Sequence, residues 1–378
     1  MGKRRISISD IIIGQPIPWD AFSADGKLLL KAGEVVATEN QAERMVKEGM
    51  YSEVGSVEEI ERQLPPVKNE PSVVRILNRA NWMLRKALPG LSALSNAEAK
   101  IREIAEMVYQ ALELSPDVAI ACIFLNQKPG GPYNFRHNTD TAVVAALVAK
   151  SMGMTKDEII TGIAAALTAN LGMLDYQEHL DNKKGPLTDA ERAHIRKHPE
   201  HSVEMLRNVG VSDEAWLSYV QNHHENEDGS GYPAGKKGAE IPTFAKLIGL
   251  ADRYTARVTS KDYRKPALAS HALKSIFLSK DKEIDPALAP YFIREIGLYP
   301  PGSFVQMKSY ELGVVAKRGE TPNHPYVMLV LTAAGMPQSG RILRKTSSPE
   351  YAIREPVHKE IAGANLGMQR FWGDLAAF

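Results

Sequence analysis

Between Ile6 and about Gly55, apolar residues fall into short extended runs, IIIGQPIPWDAF and KLLLKAGEVVA, on either side of SADG. Runs of this kind read as strands, and Asp25-Gly26 between them reads as a turn. Thr38 then stands where an N-cap belongs, ahead of the helical run ENQAERMVKEGM. Residues 1–62 are therefore expected to form a small β-rich α+β domain. The prolines and charges of QLPPVKNEP, 63–71, mark a linker, which with a connecting helix fills 63–95.

Beyond the linker the period lengthens. Apolar residues recur at helical spacing near 73–88, 96–113, 138–152, 156–171, 188–209, 213–224, 243–258, 268–279 and 286–297. Thr188-Asp189-Ala190-Glu191 has the Thr-x-x-Glu form of a capping box and fixes one helix start. The spacing predicts a helical bundle over 96–320. After Pro300, the stretches SFVQMKS, LGVVAKR and YVMLVLTAA read as strands. Residues 321–378 are expected to hold C-terminal strands and a polar tail punctuated by Pro and Gly, in which little can be read. No internal repeat is evident. The expected fold is mainly α, with a few C-terminal strands and the small β-rich domain in front.

A chain of 378 residues is too long for one small core and implies two or three compact units. Its 44% hydrophobic and 24% charged content is that of an ordinary globular protein. The formal net charge of +1, without a long basic block, argues against a nucleic-acid polymer as partner. The single cysteine, Cys122, excludes an internal disulfide and fits a reducing compartment, and its setting AIACIFL reads as core. MGKRRISISDIIIG has no apolar stretch followed by a cleavage site, so no signal peptide is expected. Apolar runs fall short of the ~20 residues that cross a bilayer. The expectation is a cytoplasmic protein without a membrane span.

The candidate chemistry starts at NHHENEDGSGYP, 222–233. Taken alone, adjacent His223 and His224 are more often a solvated or hydrogen-bonded pair than metal ligands, because a metal needs several converging donors. Further donors do exist. His137 lies near the start of a predicted helix, His198 precedes Pro199 at the end of the capped helix, and Asp252 sits in GLADRYTARVTSKDYRKP.

With HHE-x-x-DGSGYP at 223–233, LTDAERAHIRKHP at 187–199, DRY and DYR within 252–264, and IGLYPPGSFVQM-x-x-x-E at 296–311, the chain resembles the HD-GYP family over roughly 120–320. These are bacterial phosphodiesterases that hydrolyse cyclic di-GMP on two or three metal ions. The N-terminal part resembles a small domain often found ahead of HD-GYP modules. The resemblance implies metal ligands at His137, His198, His223, His224 and Asp252. It also exposes a departure: where the family reads Leu-Leu-His-Asp-Ile-Gly-Lys, this chain reads LTANLGM at 167–173. Ala169 and Asn170 replace the His-Asp pair, and Met173 replaces the lysine.

Two divalent ions about 3.5 to 4 Å apart activate a water and hold a phosphodiester in line. Their mutual repulsion is offset by the bridging Asp, which Asn170 cannot replace, and Ala169 supplies no donor at all. Hydrolysis is expected to be impaired, with no confident catalytic residue. At most one divalent ion, Mn²⁺ or Fe²⁺ by resemblance, is expected, with Asn170 as a weak extra ligand. The alternative is no metal and a hydrogen-bonded polar core. Tyr133 stands where members with three metals carry a glutamate, so a third ion is not expected, and Thr255 stands where an Asp is usual.

By resemblance Lys261 and Arg264 contact nucleotide phosphates, and Tyr232 offers a face to a guanine. The intact loop of Asp228, Gly229, Gly231, Tyr232 and Pro233 implies contact with diguanylate cyclase (GGDEF) domains. A homodimer is compatible with these features. Three readings stand: an impaired member that binds cyclic di-GMP or a protein partner as a regulator, a working phosphohydrolase with a rebuilt site, and an interaction module without nucleotide.

Overall fold

The computed structural model describes residues 3–5, 11, 17, 20–23, 25–31, 34–36, 38–47, 51–53, 71–126, 133–176, 183, 185–259, 265–279, 282–338, 340–362 and 367–377. Most of the expected linker, together with Lys261 and Arg264, lies outside the described residues. The chain divides into two compact units, Met1–Ser72 with Ala377–Phe378, and Val73–Ala376.

In the first unit β1 (Lys3–Arg5), β2 (Ala21–Phe22), β3 (Leu28–Leu30) and β4 (Tyr51–Glu53) form an antiparallel sheet of order β1-β4-β2-β3. The β2–β3 turn is the expected one, with Gly26 at φ 86°. Helix α1 (Glu39–Lys47) starts at Thr38, whose Oγ1 accepts from Gln41 N at 3.2 Å. Ala42 and Met45 from this helix close a small core with Ile11, Ile17, Ala21 and Val36.

The second unit is built on helices α2 (Val73–Ala87), α3 (Ala97–Leu114), α4 (Pro116–Leu125), α5 (Tyr133–Ser151), α6 (Lys156–Thr168), α7 (Asp189–Arg196), α8 (His198–Asn208), α9 (Glu214–Asn222), α10 (Thr243–Val258), α11 (Ala269–Ser279) and α12 (Ala289–Ile296). Most fall where helical spacing predicts them. Both capping boxes close: Thr188 with Glu191, and Thr155 with Glu158, the latter a pattern legible in the sequence as well.

Three expectations need correction. Residues 116–125 form helix α4 although no helical period marks them. All but Asp117 are apolar, and Val118 to Ile123 are buried without a break, so the amphipathic signal vanishes. Helix α5 begins at Tyr133, a turn earlier than its apolar stripe, because its first turns bury polar residues such as His137 and Asn138. The stretch 188–209 is two helices that break at Lys197, with Pro199 in the first turn of the second. His198 therefore begins a helix instead of ending one.

Among the described residues, one unbroken helical stretch, Lys156–Tyr176, is long and apolar enough to cross a membrane, with mean hydropathy 1.3, where no such run was expected. It belongs to the bundle interior, with 61% of its apolar window buried inside the protein.

After the bundle, β5 (Phe304–Met307), β6 (Leu312–Lys317), β7 (Tyr326–Leu331), β8 (Leu343–Lys345) and β9 (Ile353–Val357) make an antiparallel sheet of order β8-β7-β6-β5-β9. Strands β8 and β9 and the short helix α13 (Gln369–Trp372) order a tail in which the sequence showed little. Phe304, Val314 and Met328 pack on one side of the sheet, and Val305, Val315 and Val327 on the other. Arg318 bonds Asp117 at 2.6 Å and Glu295 at 2.7 Å, tying the end of β6 to α4 and α12.

Candidate functional site

Three helix ends and one loop bring the histidines together. His223 is the C-cap of α9, whose N-terminus is fixed by Asp213 accepting from Ala215 N and Trp216 N. His198 opens α8 across the break at Lys197. Helix α10 passes close behind: a Cβ on Gly249 would lie 2.3 Å from the His223 carbonyl oxygen, so only glycine permits that approach.

The rings of His198 and His223 are aimed by the backbone. His198 Nδ1 lies 2.6 Å from the Ile195 carbonyl oxygen, and His223 Nδ1 lies 2.6 Å from that of Val220. A carbonyl oxygen only accepts, so both Nδ1 atoms carry protons and both Nε2 atoms are left with bare lone pairs. Those Nε2 atoms face each other at 3.2 Å. His224 completes the group, with one nitrogen from each of the three rings within 4.8 Å of the others.

Burial, reinforced by the neighbouring His223, pushes His198 down from 6.5 to about 3. Burial likewise lowers His223, and it lowers His224 strongly with help from His223 and His198. Neutral imidazoles with converging lone pairs and Nδ1 held by a carbonyl are the donor arrangement a metal ion requires. The residues fit a single divalent ion, and three imidazoles suit a borderline cation such as Fe²⁺ or Zn²⁺ better than a hard one.

The other expected ligands are engaged differently. His137 Nε2 lies 2.8 Å from Asp252 Oδ1, and its Nδ1 lies 3.4 Å from the Thr255 hydroxyl. Burial works to raise the Asp252 carboxyl, but the hydrogen bond and charge of His137 overcome it and hold the group well below the usual range. The pair is thus a carboxylate with an imidazole donating to it. Asn170 Nδ2 donates to Asn138 Oδ1 at 3.1 Å, and Asn138 Nδ2 donates to the Leu167 carbonyl at 3.0 Å. Ala169 is buried, and its carbonyl accepts from the Ser202 hydroxyl at 2.9 Å. Met173 ends a short 3-10 turn, Leu171–Met173. Tyr133 stacks on His137 with ring centroids 5.2 Å apart.

The loop after the histidines is held by groups that motif reading passed over. Glu225 is buried, and its carboxylate accepts from Ala234 N at 2.7 Å and Lys236 N at 3.0 Å. Asn226 bonds Ser230 and receives the Arg253 guanidinium, while Asp228 accepts from Ser230 N at 2.9 Å. Gly229 N bonds the Asn226 carbonyl, and a Cβ on Gly231 would lie 2.4 Å from Asn226 N. Tyr232 N donates to the His224 carbonyl, and its ring stacks on His224 with centroids 4.8 Å apart. Pro233 follows through a cis peptide bond. One face of Tyr232 thus rests on a histidine of the candidate site.

Residues 117–288 match the HD domain family. Among curated proteins, the chain is 25% identical over 236 residues to a cyclic di-GMP phosphodiesterase of Pseudomonas aeruginosa, covering 62% of this chain and 56% of that one. It is 25% identical over 214 residues to a cyclic di-GMP phosphodiesterase of Borreliella burgdorferi, covering 56% of this chain and 55% of that one. The matches thus span a little over half the length of these relatives. Among solved structures, an HD-GYP-type protein from Bdellovibrio bacteriovorus superposes with TM-score 0.56 at 15% identity, covering 77% of this chain and 98% of that one. That likeness concerns the fold.

Proposed function

We propose, from the match of residues 117–288 to the HD domain family, that this chain is an HD-GYP-type receptor of the cyclic di-GMP system that holds one divalent ion and has lost appreciable hydrolysis. The reading rests on one observation above all. At the position where a second ion would need an anionic bridge, Asn170 offers a neutral amide turned to Asn138, and Ala169 offers no donor. Two neighbouring cations repel strongly in a partly buried site, and no carboxylate stands between them to offset that repulsion.

An ion on His198, His223 and His224 would supply Lewis acidity toward a phosphate oxygen. The protein's own part is to aim the rings of His198 and His223 through the Ile195 and Val220 carbonyls, to stack His224 on Tyr232 and to fix the loop through Glu225. Phosphate binding without cleavage is the outcome such a centre supports. The half-exposed loop, cross-linked by Asn226, Asp228 and Ser230, is the proposed contact for a GGDEF domain. A cytoplasmic location belongs to the same proposal, supported by the lone buried Cys122.

A second reading has its own support. Three protein ligands with an open position are also the form of catalytic mononuclear sites, which suits hydrolysis of a less demanding phosphoester. Titration with cyclic di-GMP followed by chromatography of the mixture separates the two. The receptor reading expects saturable binding with the dinucleotide recovered intact. Linear dinucleotide or GMP that disappears on chelation would favour the second reading.

A further inference from the structure

Arg196 is the last residue of helix α7, two positions before His198. Its guanidinium carbon lies 5.7 Å from the ring centroid of Tyr232, the ring that stacks on His224. The side chain is exposed, and among the described residues no carboxylate pairs with it. The nearby acids are committed elsewhere. Asp252 holds His137, Glu225 holds two backbone amides, and Glu191 closes its capping box and pairs with Lys183.

Arg253 brings a second guanidinium, bonded to the neutral amide of Asn226, and the carboxylates of Asp252 and Glu225 offset the two guanidiniums in formal charge. A divalent ion on three neutral imidazoles would bring its own positive charge, so the loaded centre suits an anionic ligand. The turn Leu171–Met173 lies against the same helix start, since a Cβ on Gly172 would stand 2.6 Å from the His198 carbonyl oxygen, and it brings no cation. Of the two guanidiniums, Arg196 is the exposed one without a hydrogen-bond partner among the described residues.

We propose, building on the metal-centre reading above, that Arg196 is the phosphate-recognising group of this site. Its guanidinium, held over Tyr232, donates to the oxygens of a phosphate group seated beside the three histidines. Arginine suits the task because its planar fork stacks on an aromatic face while its N–H edge remains free to meet two phosphate oxygens. The phosphate can belong to a cyclic dinucleotide or be inorganic.

The test uses the full chain loaded with Zn²⁺ as wild type, Arg196→Gln and Arg196→Lys. Metal per chain is measured first, then calorimetric titration with cyclic di-GMP and, separately, with inorganic phosphate. The expected result is unchanged metal content and about 10- to 100-fold weaker anion binding in Arg196→Gln, the effect of losing charge-assisted hydrogen bonds. Arg196→Lys should recover part of that loss, as a point charge without the fork does. Response to cyclic di-GMP alone assigns a phosphodiester as ligand, and response to both probes assigns any phosphate. Equal affinity in wild type and Arg196→Gln overturns the proposal, as does loss of metal from Arg196→Gln. Wild type that holds metal but binds neither probe overturns it and leaves the metal centre standing. Wild type that holds no metal overturns both.

Discussion

The Nε2 atoms of His198 and His223 face each other at 3.2 Å while the opposite nitrogen of each ring is held by a backbone carbonyl. Two acceptors so placed repel unless a cation lies between them. Replacing His223 with Ala should therefore lower affinity for a divalent ion by at least the 10- to 100-fold that loss of a mere supporting partner costs. Equilibrium dialysis against Mn²⁺ or Zn²⁺ checks this. Undiminished affinity would move the ion off these three rings.

The same burial sets a pH dependence for the metal-free protein. His198 is pushed from 6.5 down to about 3, so the folded state resists a proton that the unfolded chain takes up readily. Its stabilising contribution is complete above pH 6.5 and is lost as pH falls toward 3. The slope for one such proton is about 1.4 kcal/mol per pH unit. Urea denaturation between about pH 4 and pH 7 should show that decline, and His198→Gln should flatten it by about one proton. A variant with the wild-type slope would contradict the assignment.

At Asn170, a carboxylate would turn an attraction into a repulsion, because Asn138 Oδ1 now receives the Asn170 amide at 3.1 Å. Asn170→Asp should destabilise the metal-free protein by about 1 to 3 kcal/mol. Saturating Mn²⁺ should then raise its melting temperature more than that of wild type, since an ion that binds only the folded state stabilises it. Calorimetry with and without metal decides the point, and an equal metal-induced rise in both proteins would count against a role for this position in charge balance.

Glu225 accepts two backbone amides from the loop at 2.7 and 3.0 Å. Glu225→Gln turns one of those oxygens into a donor facing another donor, at an expected loss of about 1 to 3 kcal/mol. Hydrogen exchange should quicken at Ala234 and Lys236. Unchanged protection there would show that the loop is held by other contacts.

Much of the fold is legible in the sequence because it obeys local rules. Thr188 and Glu191 announce a helix start, Asp25-Gly26 a turn, and apolar spacing most of the helices. Residues 116–125 escape because a helix that is apolar almost throughout has no polar face to set a period. The break at Lys197 escapes because Pro199 is as much at home in a first helical turn as just after a last one. At the site, the motifs name His198, His223 and His224, yet the grouping of these three apart from the His137–Asp252 pair depends on tertiary distances. Glu225 lies inside the motif, but its hold on Ala234 and Lys236 depends on how the loop folds back. Arg196 carries no local signal for its place over Tyr232.

The central claim is a single ion held by three histidines, with no second ion at Ala169 and Asn170. Metal analysis of purified wild-type protein, after exposure to excess Mn²⁺, Fe²⁺ or Zn²⁺ and removal of free ion, tests it directly. The account predicts about one ion per chain, lost when His223 becomes Ala. Two ions per chain, or none under any of these metals, would contradict it.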